Sequence, residues 1–540
     1  MWIFAKSAIF MGLAVFHLNT LAAEPEEHRP ETTRVIVKLK QSSSPESYNL
    51  GALSNPLGYM KSKYARQSFG EIQTLGLPDL IVAEMSAEGV ESLRKDSNVI
   101  AVVEDYLSKP SWTFTDSASG LTTIGEVDGK NDSWEGKGET IAIVDTGINA
   151  SHPFLQGKLV GEACFSSISS SSPKSKSLCP NGLETQIMKG AGKDCSSSTI
   201  GCGHGTHVAG IAVGGPVTFK GEVLQGTAPG SKFISVQVYS QFDDPSLCGG
   251  NSTPCVLSFA SDQIRALNYL YTIHKETGLA VVNMSMGHGA FSKSCADDIL
   301  SESIQKLVSG NVAVVAASGN EGLLGASSSP ACIPGVISVG AVDVFNHLAY
   351  SYSNTAVTTT LLALGDNVLS SDQGGGYGRK TGTSMAAPQV SGALVLLRSK
   401  LPSAKVPDLV KVLKASGTQV IDGRTGQKFT ALNIVSLEKF PVGTVEPAQH
   451  NDGDPQSTVV NSLPSRVVVI PQENVSVAPT DHVAAELETV TGKTTEVKDR
   501  DGFYIIEMKG GVNEKDKAAI QHVFGEKSKI AIDALSFPNN

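Results

Sequence analysis

No cysteine stands before Cys164 or after Cys332, although the stretch they bound holds eight in all, and no two of the eight form a C-x-x-C pair. A zinc cluster is therefore not expected, and no metal or other cofactor is assigned. Basic blocks are missing too: 43 Lys and Arg against 53 Asp and Glu leave a formal charge of -10, so nothing tracks a phosphate backbone and nucleic acid is not an expected partner. Beyond the first residues there is no apolar run long enough to cross a bilayer, which removes the membrane as a partner. Aromatics are few at 6%, but 40% hydrophobic and 18% charged residues make a globular composition rather than a disordered one. At 540 residues the chain exceeds what one core usually holds, so a large domain with smaller attachments is expected.

What is present divides the chain. Lys6, the apolar residues 8–16 and the small residues Thr20, Ala22 and Ala23 read as a secretory signal peptide over 1–22, since the apolar run is short and broken by His17 and Asn19. The product is expected to be secreted or extracytoplasmic. An even number of cysteines in an exported chain suggests disulfides, although eight allow about 105 pairings. The intervals Cys195 to Cys202 and Cys248 to Cys255 look like loop staples, and of the three ways to pair the other four the guess is Cys164 with Cys179 and Cys295 with Cys332. Residues 23–108 read as a small α+β unit, with strands at 33–40 and 99–107 and a helix at 88–98. Residues 441–464, rich in Pro, Asp, Gln, Ser and Thr, read as a linker, and 465–540 as a second small α+β unit.

In the centre, 112–440, apolar strands at 140–144, 233–239, 280–284 and 312–316 alternate with helices at 261–273 and 296–308. The alternation predicts an α/β fold with a parallel sheet covered by helices on both faces. Reactive residues in such a fold collect at the carboxyl ends of the strands.

Four segments end there. Asp145 follows 140–144 and precedes Thr146-Gly147; alone, it is an ordinary turn or capping Asp as readily as a catalytic one. His204 opens a helix in Gly203-His204-Gly205-Thr206-His207-Val208-Ala209-Gly210, where a metal pair of histidines lacks any H-E-x-x-H pattern. Ser384, in Gly382-Thr383-Ser384-Met385-Ala386-Ala387-Pro388, has the free N–H groups of a helix start beside its hydroxyl, which suits an oxyanion but also describes a plain capping residue. Asn320, in Ala317-Ser318-Gly319-Asn320-Glu321-Gly322, either donates to an oxyanion or holds a turn.

Taken together, D-T-G, H-G-T-H-V-A-G, S-G-N-E-G and G-T-S-M-A-A-P, in this order, resemble the subtilisin-like serine proteases over about 112–435. The resemblance implies a subtilisin-like parallel sheet flanked by small α+β domains, with Ser384 as nucleophile, His204 as general base, Asp145 holding the imidazole and Asn320 as oxyanion donor; His207 is framework. It implies that Ser285, Met286 and Gly287 pair with extended substrate and, with Ala317, Ser318, Gly319 and Ser328, wall the pocket for the residue before the scissile bond. None of these is acidic, so small or apolar residues are expected there. The partners implied are protein or peptide substrates and the chain's own 23–108, an inhibitory prodomain released by a cut between Tyr106 and Thr115. The sequence departs from the family at Phe154, which stands where an Asp often ligates calcium, at 214–226, where the calcium loop is unrecognisable, and in a four-cysteine insertion over 162–203. Two rival readings are a degenerate protease scaffold that only binds and an esterase using the same triad; the complete triad opposes the first, and G-T-S-M-A in place of G-x-S-x-G opposes the second.

The last unit echoes the first. Ser465-Arg466-Val467-Val468-Val469-Ile470 parallels Thr33-Arg34-Val35-Ile36-Val37-Lys38, and Ile505-Ile506-Glu507-Met508 parallels Val82-Ala83-Glu84-Met85. Either an internal repeat or the popularity of this small α+β plan explains the match. A repeat would either dock on the protease or bind another protein, and the linker, up to about 80 Å long when extended, permits docking.

Overall fold

The computed structural model describes residues 32–40, 55–111, 113–114, 134–169, 174–249, 253–343, 347–348 and 352–439, followed by four strands between 466 and 533 with scattered positions among them. The signal peptide, the linker 441–464 and Trp112 and Thr115 lie outside the described residues.

Thr140–Asp145 is buried at every position, as a strand covered on both faces must be. Its side chains alternate: Ile141 and Ile143 join a core with Val208, Ile211 and Leu394, while Ala142 and Val144 join another with Leu267, Leu270 and Ile304. Two helices, His204–Val213 and Thr383–Lys400, therefore cover one face, and Ala260–Ile273 and Ser301–Ser309 the other. Each aliphatic side chain buried here contributes about 1.5–3 kcal/mol. The sheet has ten strands, with Lys232–Gln237, Thr140–Asp145, Leu279–Met284, Ala313–Ala317 and Val336–Val342 parallel neighbours at its centre. The expected α/β class and parallel sheet are found.

Some expected elements have different bounds, among them the helix expected over 88–98, which is Ala87–Arg94. The strand predicted over 99–107 is Val99–Glu104, a break, and a second strand Leu107–Pro110. The break lies at Asp105, whose carboxylate accepts from Ser261 N (2.8 Å) and Ser261 Oγ (2.6 Å) and so caps a helix that has no cap of its own. The helix predicted from 296 begins at Ser301, because Cys295 is tied to Cys332 and Asp298 turns back to accept from Leu300 N at 2.9 Å. All four disulfides join the expected partners.

The N-terminal unit is an antiparallel sheet in the order Gln73–Thr74, Leu80–Ser86, Thr32–Leu39, Val99–Glu104, with helices Pro56–Tyr64 and Ala87–Arg94. Val35, Val37, Ile81 and Met85 form its own core with Met60 and Leu93. The opposite face presents Ile36, Leu80 and Val82 to the apolar cluster around Leu267 and Leu270. Arg34 Nε meets Asp105 Oδ2 at 2.7 Å, and Lys38 Nζ meets Glu302 Oε2 at 2.6 Å. The unit is thus packed onto the large domain by apolar burial and by the Lys38–Glu302 ion pair, while the Arg34–Asp105 pair lies within the unit.

The four C-terminal strands form an antiparallel sheet in the order Thr495–Arg500, Phe503–Met508, Arg466–Ile470, Lys529–Asp533.

Candidate active site

Asp145 ends its strand, and His204 opens the helix that leans on it. Asp145 Oδ1 lies 2.7 Å from His204 Nδ1 and also accepts from Thr146 N at 2.7 Å; both residues are fully buried. Gly205 makes this approach possible, because a Cβ there would fall 2.4 Å from the Gly147 carbonyl. The helix has no side-chain cap from its own N-cap residue, Gly203. Asp194 supplies one from the insertion, accepting from Gly203 N at 2.9 Å and from Thr206 Oγ1. Burial pushes the Asp194 carboxyl up to about 7 against the bonds from Thr206 and Gly203. The Cys195–Cys202 disulfide closes the loop between that acid and the helix. His207, fully buried with Nε2 3.1 Å from the Gly378 carbonyl, is held well below the usual imidazole range by desolvation and stays neutral.

Ser384 is the second residue of its helix. Pro388 has no N–H to give the carbonyl four residues back, and Ser285 Oγ donates to that Ser384 carbonyl instead, at 3.0 Å. The Ser384 hydroxyl donates to the Ser285 carbonyl at 2.9 Å. Asn320 Oδ1 accepts from Thr383 N (2.9 Å) and Thr383 Oγ1 (2.8 Å), which fixes the amide; its Nδ2 has no hydrogen-bond partner among the described residues. An amide so held offers a donor beside the helix start, the geometry an oxyanion requires.

The groove is filled by the chain itself. Leu107–Pro110 runs antiparallel to Met286–Phe291 on one side, with Met286 opposite Pro110 and Gly287 opposite Lys109. It runs antiparallel to Cys255–Phe259 on the other, with Phe259 opposite Leu107 and Ser258 opposite Ser108. Ser111 N–H then points to the Ser285 carbonyl at 3.4 Å, and the Ser111 carbonyl accepts from Ser384 N–H at 3.2 Å. A peptide carbonyl therefore rests on the backbone donor next to the candidate nucleophile.

Of the expected pocket residues, Ser285 and Gly287 lie beside Ser111. A Cβ on Gly287 would lie 2.8 Å from Ser328 Cβ and 3.6 Å from Ser111 Oγ. Ala317 and Ser318 are buried, and Ser328 N donates to the Ser318 carbonyl at 2.9 Å. A Cβ on Gly319 would meet Ser328 Oγ and Glu321 Oε2. The pocket is narrow, and Glu321, which follows Asn320 directly in the quoted motif, adds a carboxylate at its rim. Gln263 also escaped the sequence reading: its Nε2 donates to Ser108 Oγ at 3.0 Å, with both residues fully buried.

At the position where a calcium-ligating Asp was weighed, Phe154 is buried with Leu224 and Leu369, against Val217, Phe219 and Tyr377. Residues 214–226 contain a small hairpin, Val217–Phe219 with Glu222–Leu224. An apolar plug of this kind offers no oxygen to a cation, so the residues present do not fit calcium at this place.

Residues 136–431 match the subtilase family. Fervidolysin of Fervidobacterium pennivorans is 26% identical over 76% of this chain and 54% of its own length, so the chain spans about half of that relative. A thermophilic serine proteinase of Bacillus sp. (strain AK1) is 29% identical over 58% of this chain and 67% of that one. The crystal structure of fervidolysin, described as a keratinolytic enzyme related to subtilisin, matches the fold with a TM-score of 0.53 and 19% identity, over 84% of this chain and 68% of that one.

Proposed function

Since this chain belongs to the subtilase family of serine proteases, we propose that it is a secreted endopeptidase, made as a zymogen that removes its own N-terminal unit by cutting between Ser111 and Trp112. The observation that carries the reading is the Ser111 carbonyl bonded to Ser384 N–H at the end of a strand paired on both sides. Backbone pairing of this kind accepts many sequences, so the substrate class is extended protein or peptide chains. Ser111 and the narrow space between Gly287 and Ser328 favour small residues before the cut bond. The signal-like leader and the four disulfides support an oxidising, extracytoplasmic destination.

The geometry supports each role. The Ser384 hydroxyl proton turns from the Ser285 carbonyl to His204 Nε2 as Oγ attacks the carbonyl carbon. Asp145, on Nδ1, fixes the tautomer and stabilises the imidazolium. Ser384 N–H and Asn320 Nδ2 take the oxyanion. His204 returns the proton to the leaving amine, and water, activated by the same imidazole, hydrolyses the acyl-enzyme. In the zymogen the docked unit keeps 107–111 in the groove, so the first substrate is the chain's own.

The full chain made in a protease-free translation system tests this. The intact chain is expected to yield a fragment beginning at Trp112 and to hydrolyse casein; Ser384→Ala is expected to do neither. The same Trp112 terminus appearing in Ser384→Ala would overturn self-cleavage, and undiminished casein hydrolysis would overturn the mechanism.

A further inference from the structure

The N-terminal and C-terminal sheets share more than strand order. In the first, Arg34 stands opposite Glu84, and on its other side Asp105 N–H donates to the Arg34 carbonyl at 3.0 Å. In the last, Arg466 stands opposite Glu507 on one side and Asp533 on the other. Arg, Glu and Asp thus recur at the same three register positions. Val468 and Ile505 face each other in register, two positions along from the Arg466 and Glu507 pair. The matching residues of the first sheet are Ile36 and Val82, also opposite each other and buried on the protease domain. A sheet with helices on one face ordinarily has a polar second face; in the first unit that face is apolar because it docks, and the last unit carries Val and Ile at the two matching register positions.

The similarity continues past the sheet. Asp105-Tyr106-Leu107-Ser108-Lys109-Pro110-Ser111 fills the groove, and Asp533 is followed by Ala534-Leu535-Ser536-Phe537-Pro538-Asn539, with Asp, Leu, Ser and Pro in the same places. Leu107–Pro110 is held by backbone pairing, which tolerates Phe537 in place of Lys109, and Ser108 meets Gln263, which Ser536 would do equally.

We propose that residues 466–539 are a second inhibitory unit, which occupies the same seat on helix Ala260–Ile273 and lays 535–539 in the groove once the N-terminal unit has left. The proposal rests on the endopeptidase reading above. The two units exclude each other, because one seat and one groove serve both. A linker of this length, up to about 80 Å extended, keeps the trailing unit near at an effective concentration of about millimolar. Its grip is weaker than that of the first unit. Ile470 replaces Lys38 and forgoes the ion pair with Glu302, and Ala534 replaces Tyr106 and forgoes the stack on His288. Maturation therefore passes from tight inhibition to a reversible, intramolecular one that substrate can displace.

The test compares matured full-length enzyme with two variants altered beyond the last strand: a chain ending at Asp533, and Leu535→Glu with Pro538→Glu. With a chromogenic peptide, both variants are expected to show an apparent KM about tenfold lower than the natural chain with kcat unchanged, and the difference is expected to be independent of enzyme concentration. Equal KM values in all three chains would overturn the proposal, as would a difference that vanishes on dilution, which would mark inhibition between molecules. If none of the three cleaves the peptide, the endopeptidase reading fails and takes this proposal with it; the casein comparison with Ser384→Ala separates that outcome from the others.

Discussion

The two small sheets at the ends of the chain have the same strand order and the same Arg, Glu and Asp in register, yet they are joined to the protease domain differently. The leading unit runs directly into the groove through Asp105, which closes a strand, pairs with Arg34 and caps a helix of the other domain. The trailing unit follows a long polar linker. Under the proposed processing, attachment rather than fold decides when each can act: the leading unit is joined directly to the groove strand and would leave only by a broken peptide bond. The proposed cut leaves the trailing unit attached.

The largest expected effect separates the two aspartates. In an uncleaved Ser384→Ala chain, Asp105→Ala removes the partner of a largely buried Arg34 and the cap of Ala260–Ile273 together. Removing one member of a buried pair costs about 3–5 kcal/mol. The urea midpoint of the leading unit's transition should fall accordingly, while Asp533→Ala should leave that transition unmoved. An equal fall with Asp533→Ala would mean that the trailing unit already bears on the seat before maturation, and would break the distinction.

A somewhat smaller effect concerns the donor that both tails would meet. Asn320→Ala should slow the appearance of the Trp112 terminus by about 10²–10³, a magnitude established for an oxyanion donor of subtilisin itself. The KM for a short peptide should stay within a factor of about two, because the loss falls on the transition state. A raised KM with unchanged turnover would reassign Asn320 to ground-state binding, in keeping with its bonds to Thr383.

How much of this was legible in the sequence follows from how far the determining contacts reach. Asp145, His204 and Ser384 stand at element boundaries, where an apolar strand or helix meets glycine and small residues, so the local pattern reveals them. The continuous apolar strand at 140–144 likewise announces a sheet buried on both faces. The break at Asp105 is invisible locally because its partner, Ser261, is 156 positions away. The late start at Ser301 depends on Cys295 bonding to Cys332 across 37 residues. Gln263 touching Ser108 spans 155 positions, and both look like ordinary polar residues of a helix and a strand. Asp194 is nearer, at nine residues from Gly203, but it lies in an insertion whose path is set by disulfides rather than by periodicity. The matching register of the two sheets needed strand pairing, since the linear parallels alone fit an ordinary α+β plan.

The smallest effect tests whether the groove is one shared framework for both units. Asp194 holds the His204 helix, and burial raises its carboxyl from the usual 3.8 to about 7. Between those values the folded chain keeps a proton that the unfolded chain has lost, so raising the pH favours unfolding, and the stability present at acid pH is gone once the pH passes the folded value. The amide introduced by Asp194→Asn would not titrate, while its side-chain oxygen could still accept from Gly203 N. In the Ser384→Ala background, the stability of Asp194→Asn relative to its parent should therefore rise by about 1 kcal/mol between pH 6 and pH 8, a figure kept below the full shift because the residue is partly exposed. Because the acid belongs to the protease domain and is bonded there to Gly203 and Thr206, the same increment should appear whether or not residues 441–540 are present. An increment that depended on the trailing unit would mean that the two tails meet differently shaped grooves, and a slope unchanged by Asp194→Asn would place the titrating group elsewhere.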